Sequence, residues 1–498
     1  MNTNKIPEQV YALGLLIVWG GALLTFGVLR LDAYGLDENA ARGLLLNWSI
    51  SDQIISPVLV LGVPDFRALL FAPIGIYWSG SILAAKIFSL IISFIAIYLL
   101  YKWCEKQGRQ EAGLVAGALL LISPTFISQI DTMGAAPYLL LGFGLGAWLD
   151  NAYRSRNKDF GGWYFLQLLW IAILVTLHPI GLAYPIALAI WWKTNPDKVK
   201  NSRHIYVGIL ISALLATAIK MGWQDLSWFA NPIEQLALAL QGKTIWSTED
   251  IFWFPGFIAT VLLIIIVLID YKILTKDLLG IMLIVALFLG LFVADSVWAT
   301  IAITIIIFRG LTILIDFQQS KTRSSFIGQR GLFIIIAFLI STFFMFEAKT
   351  HALTIKYEIL SPEDELIHAL AEIAKDENKP FRAASQWPGR TVIATKRDVL
   401  PLPPGFESPE AFWENAGKNL THIIFNPKAP ENQELTANLA NLVGKTNTLA
   451  LIKGGALIKL IDHEVKLFIR PDEEIIEEKT ASTNQQSNTE ETSNPSLK

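Results

Sequence analysis

The chain has 498 residues, 53% hydrophobic and only 17% charged, well under the roughly 25% charge of a soluble domain, and its mean hydropathy is +0.46. This composition excludes a water-soluble globular protein and predicts a polytopic membrane protein. A net charge of −3 without a basic block offers nothing to nucleic acid, and the single cysteine, Cys104, excludes an internal disulfide and a cysteine-built metal site.

A helix needs about 20 apolar residues to cross a hydrocarbon core of about 30 Å, and such runs recur from Val10 to Phe346. The first, Val10 to Leu29, is too long for the apolar part of a signal peptide. It has only Lys5 before it and Arg30 after it, with no small-residue cleavage site, and reads as a retained first helix. Hydropathy places spans near 10–30, 81–101, 112–130, 134–151, 162–178, 180–192, 204–221, 251–270, 278–295, 297–315 and 331–347, about 11 in all. With the N-terminus in the cytoplasm, one set of loops collects nearly all the loop cations, among them Lys102, Arg109, Arg156, Lys200 and Lys321. The other set holds Arg42, Arg67 and Lys243. The asymmetry follows the positive-inside rule, so the loop after the first helix, the 222–250 loop and the C-terminal region are expected to face outward.

The first outer loop, 31–80, is too long for a turn and too apolar for a solvated one. Ala41, Leu44, Leu45 and Trp48 recur at helical spacing on one face, with Glu38, Arg42 and Asn47 off it, the pattern of a helix lying along a membrane surface. Ile54–Val63, ending at Pro64-Asp65, and Ala68–Trp78, containing Pro73, are too short to span and are expected to fold over the helix ends. The 222–250 loop is rich in tryptophan (Trp223, Trp228, Trp246), which favours the bilayer interface. Three parts result: a membrane domain over 1–347, a soluble α/β domain over 348–471 and an acidic tail over 472–498 whose composition predicts disorder. In the soluble part Ser361-Pro362 and Ser408-Pro409 open helices. Thr391–Thr395, His422–Phe425, Leu449–Ile452 and Ala456–Ile461 read as strands, the last two joined through Gly454-Gly455.

Three stretches in this order carry a resemblance: LDENAARGLLLNW after the first helix, PDFRALLFAPIGIYWSGSILAAKIFSLIISFIAIYLLYKW, and AGLVAGALLLISPTFISQIDTMGAAPYLLLGFGLGAWLDNAYR. Together they resemble the GT-C fold membrane glycosyltransferases, in particular bacterial relatives of the protein mannosyltransferases and of the lipid A aminoarabinose transferase. The resemblance covers the chain from the first helix to about residue 154. It implies a transferase in the bacterial inner membrane, with a periplasmic C-terminal domain, that moves one sugar from a polyprenyl-phosphate donor to a lipid, glycan or protein acceptor. Two positions depart from the pattern. Relatives usually carry Arg where this chain has Lys86, which keeps the charge and loses the bidentate fork; and the second acid of the family is replaced by Asp131, three residues away.

Such a transfer needs a base for the attacking hydroxyl and cations for the departing phosphate. The resemblance points to Asp37 as the base, whereas its place before Glu38 also suits the N-cap of a surface helix. Glu38, adjacent in sequence and therefore on another side of the helix, and Asp131 are candidates for acceptor binding. Arg42, Arg67 and Lys86 are candidates for the phosphate; Lys86, an ammonium within an apolar helix, needs either a partner or an aqueous cavity, unless it snorkels to the interface. His178, in a turn at an outer helix end, is a further pocket candidate. Asp37 and Asp131 supply fewer oxygens than a divalent cation takes, so no cofactor is expected. The competing readings are an enzyme moving a whole glycan, a transporter or flippase of lipid-linked sugars, against which the lack of an internal repeat weighs, and a membrane scaffold without activity.

Overall fold

The structure, a computed structural model, describes residues 29–52, 66–155, 162–195, 208–215, 253–291, 296–321, 326–461 and 464, apart from Ala33, Glu377, Pro404, Val443 and Lys453. Most of the expected first helix, the 54–63 segment, the 222–250 loop, Asp295 and the tail lie outside these residues. The chain divides into two compact units, Met1–Ser361 and Pro362–Lys498.

The first unit is helical throughout its described residues. It contains α1 (Glu38–Asp52), α2 (Phe66–Tyr77), α3 (Ile82–Lys106), α4 (Gln110–Leu121), α5 (Pro124–Asp131), α6 (Ala136–Ser155), α7 (Gly162–Leu177), a 3-10 turn (Pro179–Leu182) and α8 (Ala183–Thr194). Residues 208–215 are helical, and α9 (Trp253–Leu274), α10 (Leu278–Gly290), α11 (Ser296–Lys321) and α12 (Phe326–Lys356) follow. Among the described residues, three stretches are long and apolar enough to cross a bilayer, Ile82–Lys106, Ser296–Leu314 and Ile335–Lys356, with a fourth if α4 and α5 form one bent span.

The outward faces of these helices are apolar. On α3, Leu83, Ile87, Ile91 and Ile95 are exposed every fourth residue, while Lys86, Ser89 and Ser93 are buried. Leu262, Ile265, Leu268 and Ile269 of α9 and Phe338, Leu339 and Phe346 of α12 extend this surface. An apolar surface of this extent with polar groups inside is the pattern of lipid-facing helices, and the chain is a membrane protein. The exposed Tyr77 and Trp78 precede α3, and near its other end Lys102 lies 5.7 and 5.6 Å from the ring centroids of Tyr98 and Tyr101. Aromatic residues thus flank a helix whose 25 residues span about 37 Å.

The expected single span 112–130 is broken, because α4 and α5 are bent by 57° at Ile122-Ser123-Pro124. Proline has no N–H to continue the ladder, and Ser123 restarts it. Its Oγ accepts from Phe126 N at 3.3 Å and donates to the Leu120 carbonyl at 2.8 Å. Ser123→Ala is expected to cost about 1–2 kcal/mol of stability, read as a lowered thermal midpoint, while membrane insertion is retained.

Between the expected first span and α3, α1 packs on α2 through small residues. A Cβ on Gly43 would lie 3.2 Å from the Ala68 backbone, so glycine sets the closeness of the two helices. The burial of Ala41 and Leu44 matches the expected apolar face, but Asn47 is buried with them. Its amide donates to the carbonyls of Gly43 and Ala68 at 2.8 and 2.7 Å, and these bonds let a polar residue occupy the helix contact. At the other end of the helices, the Arg309 guanidinium is paired with Asp270, bonds to Gln107 and lies 5.4 Å from the Trp103 ring. This cluster joins α3, α9 and α11.

The last helix of the unit continues to Lys356, nine residues past the expected end at 347, since the polar Glu347-Ala348-Lys349 keeps helical propensity. The second unit contains α13 (Pro362–Ala374), β1 (Ala383–Ser385), α14 (Pro388–Thr395), β2 (Val399–Pro401), α15 (Pro409–Asn415), β3 (His422–Phe425), α16 (Gln433–Asn441), β4 (Thr446–Ile452) and β5 (Gly455–Leu460). The sheet order is β2-β1-β3-β5-β4, with β1 parallel to β2 and β3, and β5 antiparallel to β3 and β4. The strands expected at 422–425, 449–452 and 456–461 are present, and Ser408 caps α15 by accepting from Ala411 N at 3.1 Å. The expected strand Thr391–Thr395 is instead the helix α14. Pro388 opens that helix at its first turn, and Arg390 pairs with Glu363 at 2.9 Å and with Asp364, contacts that outweigh the β-propensity of Thr-Val-Ile. Burial disfavours the Arg390 charge, but the two acids overcome it and hold its pKa above the ordinary guanidinium value.

Candidate functional site

The candidate residues converge on the short turn between α5 and α6, residues 132–135. Met133 has a φ of 56°, a left-handed conformation that costs a residue with a side chain about 1 kcal/mol or more, and it is held there from three sides. The Asp37 amide donates to the Thr132 carbonyl at 2.8 Å. Arg67 of α2 donates from Nη1 to the Met133 carbonyl at 2.7 Å. Gln129 of α5 accepts from Ala136 N at 3.1 Å and donates to Ser296 Oγ of α11 at 2.8 Å. The segment that carries α1 and α2 is thereby fastened to the ends of the membrane helices.

Two ion pairs flank the turn. Arg67, 1% exposed, lies 2.7 Å from Asp37 through Nη2 and Oδ1. The same Oδ1 caps α1 by accepting from Ala40 N at 3.0 Å. Asp37 is therefore an N-cap, and it remains suited to act as a base, because its carboxylate is 35% exposed and its Oδ2 takes no hydrogen bond from the described residues. The second pair is Lys86 with Asp131, 2.8 Å apart, the lysine side chain 0% exposed. Lys86 thus has the partner that its position in an apolar helix demanded, and it does not snorkel. Asp131 Oδ1 also accepts from the Arg30 amide at 2.6 Å, while its Oδ2 lies 3.4 Å from His351 Nε2 of α12.

Of the seven residues singled out in the sequence, Asp37, Arg67, Lys86 and Asp131 meet around this turn. Glu38 and Arg42 pair with each other across one turn of α1 at 2.8 Å. Arg42 uses Nε for that bond, leaving the two outer nitrogens of its guanidinium without a partner among the described residues. His178 caps the 3-10 turn, its Nδ1 accepting from Ile180 N at 3.2 Å. Sequence reasoning missed Arg30, whose side chain holds Asp32 at 3.1 Å and the Ile359 carbonyl at 3.1 Å, and it missed His351. Among the described residues, no three of His, Cys, Asp and Glu gather in a metal-binding arrangement.

No family model matches the chain, and a comparison with curated proteins gives no match. Solved structures do match. ArnT from Cupriavidus metallidurans in the apo state superposes with a TM-score of 0.52 at 10% identity, covering 91% of this chain and 99% of that one. The oligosaccharyltransferase AglB from Archaeoglobus fulgidus, solved with an inhibitory peptide and a dolichol-phosphate, gives 0.51 at 12% identity, covering 84% and 69%. The fold of the chain is that of the GT-C membrane glycosyltransferases. At these identities the likeness is one of fold.

Proposed function

We propose that the chain is a membrane glycosyltransferase that moves a sugar from a polyprenyl-phosphate donor to a lipid, glycan or protein acceptor at the outer face of the bacterial inner membrane. The observation that carries this reading is the pairing of Asp37 with Arg67 and of Asp131 with Lys86 around a single turn at the helix ends, in a GT-C fold. Charge is tolerated at that depth and is costly further in. The dolichol-phosphate bound to the AglB structure supports a lipid phosphate as the donor.

In the proposed step the acceptor oxygen bonds to the anomeric carbon, its proton passes to Asp37, and the bond from that carbon to the phosphate oxygen breaks with its electron pair on the phosphate. Arg42, with nitrogens to spare, is the cation best placed to meet that phosphate. Arg67 and Lys86 act through the carboxylates they hold. Glu38 fixes Arg42, and Asp131 fixes Lys86. The test is transfer of radiolabelled sugar from polyprenyl phosphate to any outer-face acceptor, in membranes with and without the chain. Label that moves equally in both would end the enzyme reading and leave a clamp between helices, or a transporter.

The proposed topology has its own check. With Cys104→Ser as background, Lys375→Cys in the second unit is expected to react with a membrane-impermeant maleimide on intact cells, whereas Gln110→Cys is expected to react only after lysis. The reverse pattern would invert the orientation.

A further inference from the structure

Asp37 hangs on two consecutive carbonyls. Thr132 accepts its backbone amide, and Met133 accepts Nη1 of Arg67, whose Nη2 holds the Asp37 carboxylate through Oδ1. The place of the carboxylate is therefore set by the turn 132–135 as much as by α1. That turn is a closed helix ending. Met133 N donates to the Ile130 carbonyl at 3.2 Å and Gly134 N to the Gln129 carbonyl at 2.8 Å, the pair of bonds that ends a helix around a left-handed residue. Glycine usually takes the left-handed position; here Met133 takes it, and such a residue persists only where its surroundings fix it.

Gly134, next in the chain, shows what does the fixing. A Cβ on it would lie 2.3 Å from Gln129 Oε1 and 2.7 and 3.0 Å from the other two heavy atoms of the same amide group. The Gln129 side chain, 4% exposed, lies against the inside of the turn. From there its Oε1 accepts from Ala136 N, at the first residue of α6, and its Nε2 donates to Ser296 Oγ, at the first residue of α11. One amide thus joins the end of α5 to the starts of α6 and α11, within the turn from which Asp37 and Arg67 hang.

We infer that Gln129 is a positioning residue for the base: its amide fixes the turn 132–135, so that the Thr132 and Met133 carbonyls hold Asp37 and Arg67 in the geometry for proton transfer. The inference rests on the reading of Asp37 as that base. Gln129 binds neither sugar nor phosphate, and its effect falls on the chemical step. Misplacing a reacting group by about 1 Å can cost on the order of 10² in rate. Donor binding, assigned above to Arg42, does not pass through the turn.

The test is transfer of radiolabelled sugar in membranes at graded concentrations of the lipid-phosphate donor, which separates kcat from KM, at equal abundance of wild type, Gln129→Ala, Gly134→Ala and the double variant. Gln129→Ala is expected to lower kcat by about 10–10² with KM for the donor unchanged within about twofold. Gly134→Ala keeps the glutamine, but its methyl displaces the amide at the flexible end of that side chain, so the same loss is expected. In the double variant the methyl meets no amide, and kcat is expected to be no lower than in Gln129→Ala, where independent effects would multiply. A wild-type kcat in either single variant, a loss carried by KM alone, or losses that multiply would overturn the inference and leave the transferase reading intact. Absence of transfer by the wild type ends both. Should Gln129→Ala fail to fold, Gly134→Ala decides alone by its own kcat and KM.

Discussion

Asp37→Asn is expected to lower sugar transfer by about 10²–10⁴, the usual worth of a positioned general base. Asparagine caps a helix about as well as aspartate, so α1 keeps its start while the charge is lost. The substitution therefore separates the cap that Asp37 forms in the structure from the base it is proposed to be. It also leaves the Arg67 guanidinium, 1% exposed, without its carboxylate, and a buried charge left alone costs about 3–5 kcal/mol. The double variant Asp37→Asn, Arg67→Gln removes both charges and is expected to recover folding without recovering transfer. If the double variant transfers sugar at the wild-type rate, Asp37 is a cap and an ion-pair partner, and the base lies elsewhere.

Lys86→Met has the largest expected effect on stability. It removes a fully buried ammonium and leaves Asp131, equally enclosed, with the Arg30 amide and His351. The loss is expected at about 3–5 kcal/mol and is read as a fall in the thermal midpoint of the detergent-solubilised protein. Pairing it with Asp131→Leu completes a cycle in which both charges are gone. The double variant is expected to be more stable than either single one, because an apolar pair of similar volume replaces a buried ion pair at little cost. Equal, additive losses would show that the two residues do not act on each other.

Much of this architecture was open to a reading of hydropathy alone, and the exceptions have physical causes. The helix α3 lies where an apolar run of membrane length lies, and α6, α7 and α8 overlap spans that hydropathy placed, although α7 and α8 are shorter than a bilayer crossing needs. The bend at Ser123-Pro124 was missed because the apolar run continues through it, whereas the backbone hydrogen bonds do not. Thr391–Thr395 looked like a strand because β-branched residues favour one, and the salt bridges of Arg390 with α13 decided otherwise. At the site, Asp37, Arg67, Lys86 and Asp131 each drew notice as a charge in apolar surroundings. Their pairing did not, because the partners are 30 and 45 positions apart in the chain, and no periodicity links one helix to another. His351 has no companion at motif spacing, and its significance is purely spatial.

The turn at residues 132–135 also bears on how the chain is made. The contacts of the turn and of Asp131 just before it come from Arg30, Asp37, Arg67, Lys86 and, last of all, His351, so the cluster is assembled over the whole synthesis of the membrane unit. Lys86 enters the bilayer 45 residues before Asp131 emerges, and a lone ammonium is poorly tolerated in lipid. During that interval α3 must be sheltered by the insertion machinery or held near the surface. Nascent chains ending before α12 would then carry the Lys86–Asp131 pair with nothing yet from α12 against the second carboxylate oxygen of Asp131.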